Sequence, residues 1–328
     1  MILKTRVKDA AAALASMLPW GVRQSMFEAL LSNHIMPSDE RYDVMSRIAA
    51  SCNVNAFIVQ GEEGLIRGSS QDRSVLRHYA THGYWASRTT RLFKDFYSRA
   101  TSGTFIDVGA NIGLTLIPIA RLAAVRCIGV EAEPRNFSYL EENVATAAVG
   151  DRVVLRNVAV FSKPAKVQLE LAGSNLGDHR IRVDESQLTL QGEHLRDVVT
   201  VDALPLDEII AGIDPTFSCL NDNVAVKVDV QGAEPFVFEG GQKTLASARI
   251  LVTEFSPYFM ARMNADPEAV LGSLDTHFSH VRLANQEDEP PSAPMPVREA
   301  TKWLRKFASD NATDAHAYID IIAEKNRD

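Results

Sequence analysis

The feature that most constrains the fold is an alternation of short apolar runs with longer amphipathic stretches, which begins after residue 103. Apolar runs of strand length at 104–108 and 126–131 are each followed by a stretch with helical spacing, at 112–123 and 134–147. Parallel strands need a crossover connection of about a dozen residues, usually a helix, so the alternation predicts strands that pair in parallel. We therefore expect an α/β fold, a doubly wound and mostly parallel sheet with both faces covered by helices.

Further apolar runs are predicted to extend the same sheet, at 153–156, 224–229, 250–254, 280–283 and 317–323. Between the third and the fourth predicted strands lies a long polar segment, 171–197. In an open α/β sheet, ligands bind beyond the carboxyl ends of the strands. A loop that leaves this edge can cover the ligand, so we expect 171–197 to lie over the site.

The residues before the sheet are predicted to form a separate region. They show helical spacing over 1–53, a hairpin pattern at 54–59 and 65–66, and helical patterns at 72–79 and 87–100. The predicted domains are an N-terminal helical and hairpin extension, 1–100, and the domain of the sheet, 101–328. The chain has 328 residues, 46% of them hydrophobic, which is enough for a full α/β core and an extra element.

The overall charge disfavours two classes of partner. The formal net charge is -8, which gives no general attraction to nucleic acids or to anionic membrane surfaces, so we expect neither as a partner. No run approaches the roughly 20 apolar residues that span a bilayer. The apolar stretch 10–20 leaves a cleaved signal peptide open as an alternative. The cysteines are odd in number and far apart, as expected of free thiols in a reducing compartment, and the predicted location is the cytoplasm.

A glycine turn follows the first strand of the sheet. Gly109 and Gly113 let the backbone pass close under a ligand, and the predicted helix after them offers free amide groups. We expect a side chain at Gly109 to clash with such a ligand. Asp107 places a carboxylate in an otherwise apolar strand, which costs free energy unless a cation or a hydrogen-bond donor meets it. The ammonium group of S-adenosylmethionine would be such a partner.

Glu131 ends the second predicted strand, where a carboxylate can accept hydrogen bonds from both hydroxyls of a ribose. A favourable charge at the start of the next helix is the alternative reading of Glu131. An NAD-dependent dehydrogenase shares these features but needs a GxGxxG turn. Here Asn111 replaces the middle glycine and Leu114 the last, and Asp107 would repel a pyrophosphate. The pattern therefore favours S-adenosylmethionine over a dinucleotide.

Three blocks of sequence together resemble the FkbM-type methyltransferases: FIDVGANIGLTL at 105–116, GVEAEPRNFSYLEENV at 129–144 and VKVDVQGAEPFVFEGGQKTL at 226–245. The resemblance covers about 54–254. It implies a class I, Rossmann-like enzyme that depends on S-adenosylmethionine and methylates hydroxyl oxygens of sugars, polyketides or related metabolites. The domain at 101–328 would then be the cofactor-binding and catalytic domain.

Carried over to this sequence, the resemblance implies a cradle for the methionine part of the cofactor, made by Asp107, Gly109, Asn111 and Gly113. It also implies that Glu131 holds the ribose. Gln231 stands where the family usually has a glutamate.

Methyl transfer to an alcohol is an in-line displacement, so the protein has to align the acceptor oxygen and help remove its proton. Asp229, which closes the strand 224–229, is a candidate catalytic residue, and so is Lys227 on the same face of that strand. A structural ion pair between them is the alternative. Glu254, on the next strand, is a candidate to bind substrate hydroxyls or, with Asp229, a divalent ion. No residue spacing predicts a dedicated metal cage.

The polar segment 171–197 contains a cluster of hydrogen-bonding side chains. His179 can exchange a proton near neutral pH, which makes it a candidate general base. A solvated loop histidine is the alternative, and Asp229 is then the base. Asn175 and Arg180 are candidate substrate contacts.

The predicted function is that of an S-adenosylmethionine-dependent O-methyltransferase acting on a sugar, a glycan or a small metabolite. A nitrogen or carbon acceptor, or a cofactor-binding scaffold without turnover, stays open. A homo-oligomer is possible in each case, because specificity and assembly depend on loops and on the N-terminal helices outside the recognised blocks.

Overall fold

The computed structural model describes residues 19, 21–22, 25, 38–183, 195–285 and 290–325. Most of the helical region predicted over 1–53 lies outside these residues. By compactness the chain divides into an N-terminal unit, Met1–Trp85 with Ala172–Gly177, and a sheet unit, Ala86–Leu171 with Asp178–Asp328. Part of the predicted covering segment therefore belongs to the N-terminal unit.

The N-terminal unit contains helix α1 (Ser38–Ser51), strands β1 (Ala56–Gly61) and β2 (Gly64–Ser69), and helix α2 (Val75–His82). The antiparallel pairing of β1 with β2 confirms the predicted hairpin. Buried Asp72 accepts hydrogen bonds from the amides of Ser74 and Leu76, both at 2.9 Å, and so starts α2. The amide of Arg73 donates to the carbonyl of Ser174 at 2.7 Å, which ties the segment Ala172–Gly177 to this unit.

The sheet unit has nine helices among its described residues: α3 (Ser87–Tyr97), α4 (Leu116–Ala120), α5 (Pro134–Thr146), α6 (Leu206–Ile213), α7 (Glu234–Gly240), α8 (Gln242–Ser247), α9 (Pro257–Arg262), α10 (Glu268–His277) and α11 (Val297–Asp310). Its strands are β3 (Gly103–Val108), β4 (Val125–Glu131), β5 (Val153–Asn157), β6 (Ala159–Val160), β7 (Ala165–Glu170), β8 (Arg180–Ile181), β9 (Val198–Leu204), β10 (Val224–Val228), β11 (Ile250–Phe255), β12 (His280–Ala284), β13 (Met295–Pro296) and β14 (Ile319–Glu324).

The main sheet has eight strands in the order β13-β12-β14-β11-β10-β3-β4-β5. The five strands from β11 to β5 pair in parallel, whereas β14 runs antiparallel between β11 and β12. The predicted α/β fold with a mostly parallel sheet is thus confirmed, and every strand predicted for this sheet is present within two residues of its expected ends. The chain first adds β4 and β5 on one side of β3. It later adds β10, β11 and β12 on the other side of β3. The direction reverses between β3 and β10, which is where such sheets bind ligands.

Helix α3 belongs to the sheet unit, although the sequence placed it in the N-terminal region up to residue 100. Phe93 of α3 packs on Phe105 of β3 with ring centroids 4.7 Å apart. The hydroxyl of Tyr97 donates to the carbonyl of Thr104 at 2.7 Å. These buried contacts explain why the boundary of the sheet unit falls between Trp85 and Ala86.

Two expectations need correction. The helix predicted at 112–123 is only α4, Leu116–Ala120, because Asn111 and Gly113 have positive φ angles of 51° and 94° that a helix cannot contain. Strands β6 to β9 form a second sheet, in the order β6-β9-β7-β8, that was not predicted. In the described part of the chain, no helix is long and apolar enough to cross a bilayer.

Candidate functional site

The site lies at the carboxyl ends of β3, β4, β10 and β11, where the glycine turn leaves β3. The amides of Gly109 and Ala110 both donate to the carbonyl of Val130, at 2.9 and 3.0 Å, which anchors the turn to β4. The φ angle of Gly109 is 82°, and a β-carbon there would lie 2.0 Å from the carbonyl oxygen of Asp229. A side chain at Gly109 would therefore clash with the end of β10, and the expected clash with a ligand stays a prediction.

Glu131 connects β4 to the same turn. Its carboxylate accepts hydrogen bonds from the amide of Asn111 at 2.8 Å and from the amide of Glu133 at 2.9 Å. Burial raises the pKa of Glu131 to about 7, against the opposing effect of these two amides. Glu133 has a different task, since it accepts from the amide of Asn136 at 2.7 Å and caps helix α5.

Lys227 joins two carboxylates across β3 and β10. Its Nζ lies 3.3 Å from Oδ1 of Asp107 and 3.4 Å from Oδ2 of Asp229. Burial by itself would lower the pKa of Lys227, but the charges of Asp107 and Asp229 outweigh it and raise the pKa. The ion pair that the sequence left as an alternative is thus present. Asp107 is fully buried, whereas the side chain of Asp229 is 41% exposed and can reach a ligand.

The turn after β10 fixes Asp229 from the other side. The amide Nε2 of Gln231 donates to Oδ1 of Asp229 at 2.8 Å. Glu234, which is fully buried, accepts from the amides of Val230 at 3.0 Å and Gly232 at 2.9 Å, and so closes the turn. Both oxygens of Asp229 therefore have a donor that holds them in place.

An acidic row crosses the same edge of the sheet, and we define it as Asp229, Glu254 and Asp320. Asp229 follows the register pair Val228–Thr253, so it lies next to Glu254, and Glu254 pairs in register with Asp320. Residues in register on adjacent strands point to the same face. Burial raises the pKa of Glu254 well above its usual range, and the charges of Asp229, Glu234 and Asp320 raise it further.

His179 lies in the sheet unit, and the charged groups near it are not those of the acidic row. Burial lowers the pKa of His179 to about 4, and the charged groups that act on it are Glu133 and Arg135 at the start of α5, with Asp178 and Arg196. The imidazole is therefore neutral at neutral pH, yet it is a weak base there. A role as general base stays a prediction for His179.

Arg180 is held by several contacts. Its guanidinium forms an ion pair with Asp178, lies 3.7 Å from Oε1 of Glu170 through Nε, and stacks on Phe259 at 4.1 Å from the ring centroid. Its side chain is 5% exposed, so it anchors β8 to β7 and α9. A substrate contact by Arg180 stays a prediction.

Asn175 belongs to the N-terminal unit. Asn175 is exposed in the segment Ala172–Gly177 of the N-terminal unit, and its Oδ1 accepts from the amide of Gly177 at 3.1 Å. A role in substrate binding stays a prediction for Asn175 as well.

The sequence profile of the methyltransferase FkbM domain matches residues 107–284, more than half of the 328 residues. The chain belongs to the FkbM methyltransferase family. Its cofactor is therefore S-adenosylmethionine, and its fold is the Rossmann-like methyltransferase fold that the sequence predicted. No curated protein matches the chain by sequence.

This FkbM-family chain is also similar to solved methyltransferase structures. A precorrin-6y C5,15-methyltransferase from Geobacter metallireducens is 12% identical over 72% of this chain and 87% of that chain, with a TM-score of 0.34. A geranyl diphosphate methyltransferase in complex with SAM is 10% identical over 76% and 90%, with a TM-score of 0.38. An RNA methyltransferase from Salinibacter ruber is 13% identical over 51% and 74%, with a TM-score of 0.26. At these values the likenesses define neither the acceptor nor the methylated atom.

The site of this family member fits S-adenosylmethionine. Apart from the ion pair with Lys227, neither carboxylate oxygen of buried Asp107 has a hydrogen-bond partner among the described residues, so a cationic or donor group beside it would be stabilised. Each oxygen of Glu131 accepts one backbone amide and keeps a lone pair for a ribose hydroxyl. We propose that Asp107 faces the methionine part, that Glu131 holds the ribose, and that Gly109, Asn111 and Gly113 shape the turn between them.

Cofactor affinity should depend on pH through Glu131. Ribose hydroxyls donate to a carboxylate better than to a carboxyl group, so binding favours the ionised form. Because the pKa of Glu131 is about 7, we expect the affinity for S-adenosylhomocysteine to fall as the pH drops below 7, by up to about tenfold per pH unit. Calorimetry between about pH 5.5 and 8.5 measures this. Glu131→Gln should bind more weakly with a flat profile, and a flat profile in the wild type would contradict the assignment.

Several residues of the site were missed in the sequence. Asp320 lies in the apolar strand β14 and carried the same signal as Asp107, a carboxylate in an otherwise apolar run. Glu234 begins α7 directly after Gly232 and Ala233, which is a recognisable helix start. Gln231 was noted only as a departure from the family pattern. Its hydrogen bond to Asp229 accompanies a positive φ angle of 55° at Gln231, and the sequence does not show that angle.

Proposed function

We propose that this methyltransferase acts on a hydroxyl oxygen of a small polyhydroxylated acceptor, such as a sugar or a glycan unit. The observation that carries the proposal is the acidic row at the ligand edge of the sheet. Carboxylates accept hydrogen bonds from hydroxyl groups, and a row of them on adjacent strands can accept from neighbouring hydroxyls of one molecule.

Asp229 is the group best suited to take the proton of the acceptor hydroxyl. It is the most exposed member of the Asp107, Lys227 and Asp229 cluster, and its Oδ2 lies 3.4 Å from Nζ of Lys227. Its backbone packs directly on Gly109 of the glycine turn, which supports a position for Asp229 beside the methyl donor. When bound, S-adenosylmethionine supplies an activated methyl group on a sulfonium.

In the proposed transfer, one bond forms, one bond breaks and one proton is released. The acceptor oxygen forms a bond to the methyl carbon, the bond between that carbon and sulfur breaks, and its electron pair stays on sulfur. The proton of the hydroxyl passes to the carboxylate of Asp229 and then to water. Lys227 would act indirectly, by holding the carboxylate of Asp229 in place and by neutralising buried Asp107.

Glu254 would bind a second hydroxyl of the acceptor. Because its pKa is raised by burial and by neighbouring carboxylates, Glu254 can carry a proton at a higher pH than an ordinary carboxyl group does. A protonated carboxyl group donates as well as accepts, which suits the oxygen of a hydroxyl group. Arg88 of α3, 2.8 Å from Asp320 between Nη2 and Oδ2, ends the row with a positive charge.

The experiment that tests this function is a transfer assay with methyl-labelled S-adenosylmethionine and separate panels of acceptors. The panels are sugars and glycosides, amines, and RNA, each analysed by mass spectrometry for one added methyl group. We expect label in the sugar and glycoside panel, on oxygen, and only with the wild-type chain and not with Asp229→Asn. Label confined to amines or RNA, or no product in any panel while the cofactor binds, would reject the proposal.

A further inference from the structure

Gln231 lies in the turn that carries Asp229 away from β10. Its side chain reaches back so that Nε2 donates to Oδ1 of Asp229 at 2.8 Å, and its φ angle is 55°. A non-glycine residue is uncommon in this region of φ and needs compensating contacts. The contact with Asp229 is such a compensation.

The backbone of this turn is fixed by its surroundings. The buried carboxylate of Glu234 binds the amides of Val230 and Gly232. Gly232 has a φ angle of 99°, and a β-carbon there would lie 2.4 Å from Cβ of Phe259. The side chain of Gln231 therefore starts from a defined place, close to Asp229.

The side-chain amide of Gln231 matters because several charged groups surround Asp229. Lys227 is the cation that faces Asp229 and also contacts Asp107, while Glu234 on α7 and Glu254 on β11 are further carboxyl groups near Asp229. A glutamine adds a donor without another negative charge. A carboxylate in its place would stand within hydrogen-bond distance of Asp229, and two carboxylates so close share a proton.

We infer that Gln231 is a positioning residue for methyl transfer, which holds Oδ1 of Asp229 in place and turns the free edge of this carboxylate toward the acceptor. The inference rests on the proposed function for the step in which Asp229 accepts the proton. The hydrogen bond between Gln231 and Asp229 does not depend on the identity of the acceptor.

The first test is the pH dependence of thermal unfolding of Gln231→Glu. The new carboxyl pair with Asp229 should hold a proton in the folded state above the ordinary carboxyl pKa of about 4. A carboxyl whose folded pKa is raised stabilises the protein below its unfolded pKa and loses that stability as the pH rises through the folded value. Relative to the wild type, the unfolding temperature of Gln231→Glu should therefore fall by about 3 °C or more between pH 4.5 and pH 8.

Two controls separate this pair from a general charge effect. Gln168→Glu makes the same change at an exposed residue of β7 and should run parallel to the wild type. Adding Asp229→Asn to Gln231→Glu should remove most of the pH-dependent difference. If Gln231→Glu runs parallel to Gln168→Glu across the pH range, Gln231 does not interact with Asp229 and the inference is overturned.

The second test uses the labelled acceptor found in the transfer assay. Gln231→Glu should move the rise of the single-turnover rate to higher pH by about one unit or more, with unchanged affinity for S-adenosylhomocysteine. Gln231→Met, which lacks the donor, should lower the rate at every pH. A wild-type rate in Gln231→Met would overturn the positioning role. The unfolding comparison needs no acceptor, so a failed transfer assay with an intact Gln231–Asp229 pair rejects the proposed function alone.

Discussion

Replacing Gly109 by valine should lower the free energy of unfolding by about 4 kcal/mol and abolish cofactor binding. The φ angle of 82° at Gly109 is strained for any residue with a β-carbon, and most of all for a β-branched one. The new β-carbon would also lie 2.0 Å from the carbonyl oxygen of Asp229, which belongs to a backbone held to Val108 by a hydrogen bond of 3.0 Å. Urea unfolding followed by circular dichroism measures the change.

A matched glycine variant separates this effect from the general cost of adding a methyl group. Gly272 lies inside helix α10, and no atom lies within 4 Å of the position that a β-carbon would take there. Gly272→Ala should therefore stabilise the protein by up to about 1 kcal/mol. The sequence alone predicted only a clash between a side chain at Gly109 and the ligand. A variant with wild-type stability would show that the turn does not pack on β10 as described.

Replacing Asp229 by asparagine should lower the single-turnover rate of methyl transfer by about 10²–10⁴, the usual contribution of a general base. The substitution keeps the shape of the side chain and removes the charge that accepts the proton. Affinity for S-adenosylhomocysteine should change far less, because Asp107 and Glu131 remain. Rapid-quench kinetics with the labelled acceptor, together with calorimetry, separates the two quantities.

His179→Ala is the comparison for this prediction. Burial lowers the pKa of His179 to about 4, so the neutral imidazole is available but has little driving force to take a proton. We expect less than about a tenfold loss of rate in His179→Ala. If His179→Ala instead shows the larger loss and Asp229→Asn stays near the wild type, the proton passes to His179 and the assignment of Asp229 is wrong.

Local pattern was enough to predict the main sheet. Strands such as β3 and β10 are buried on both faces, so their residues form short apolar runs that stand out in the sequence. The carboxylates of Asp107, Glu131 and Asp229 could be placed at one edge for the same reason. The second sheet was missed because exposed and buried residues alternate along β7 and β9. Val167 and Val201 are buried residues of these strands, each between more exposed neighbours. Such an alternation is less conspicuous in a sequence than a continuous apolar run.

The parts that could not be predicted depend on contacts between distant residues. No local pattern shows that His179 is buried near Glu133, that Arg180 stacks on Phe259, or that Gly109 packs on the backbone of Asp229. Each of these contacts joins segments far apart in sequence. They decide the chemistry of the site, because burial and neighbouring charge set the ionisation of its groups.

The segment Ala172–Gly177 has a consequence for the synthesis of this protein. The N-terminal unit needs this segment, through the hydrogen bond from Arg73 to Ser174, yet residues 86–171 of the sheet unit are translated in between. At about 5–20 residues per second, the ribosome needs on the order of ten seconds to make that stretch. Most of the N-terminal unit is thus made before the sheet unit. Its folding can be completed only after the segment Ala172–Gly177 has also been made. We expect its amides near Asp72 to gain protection from hydrogen exchange only after residue 177 has left the ribosome.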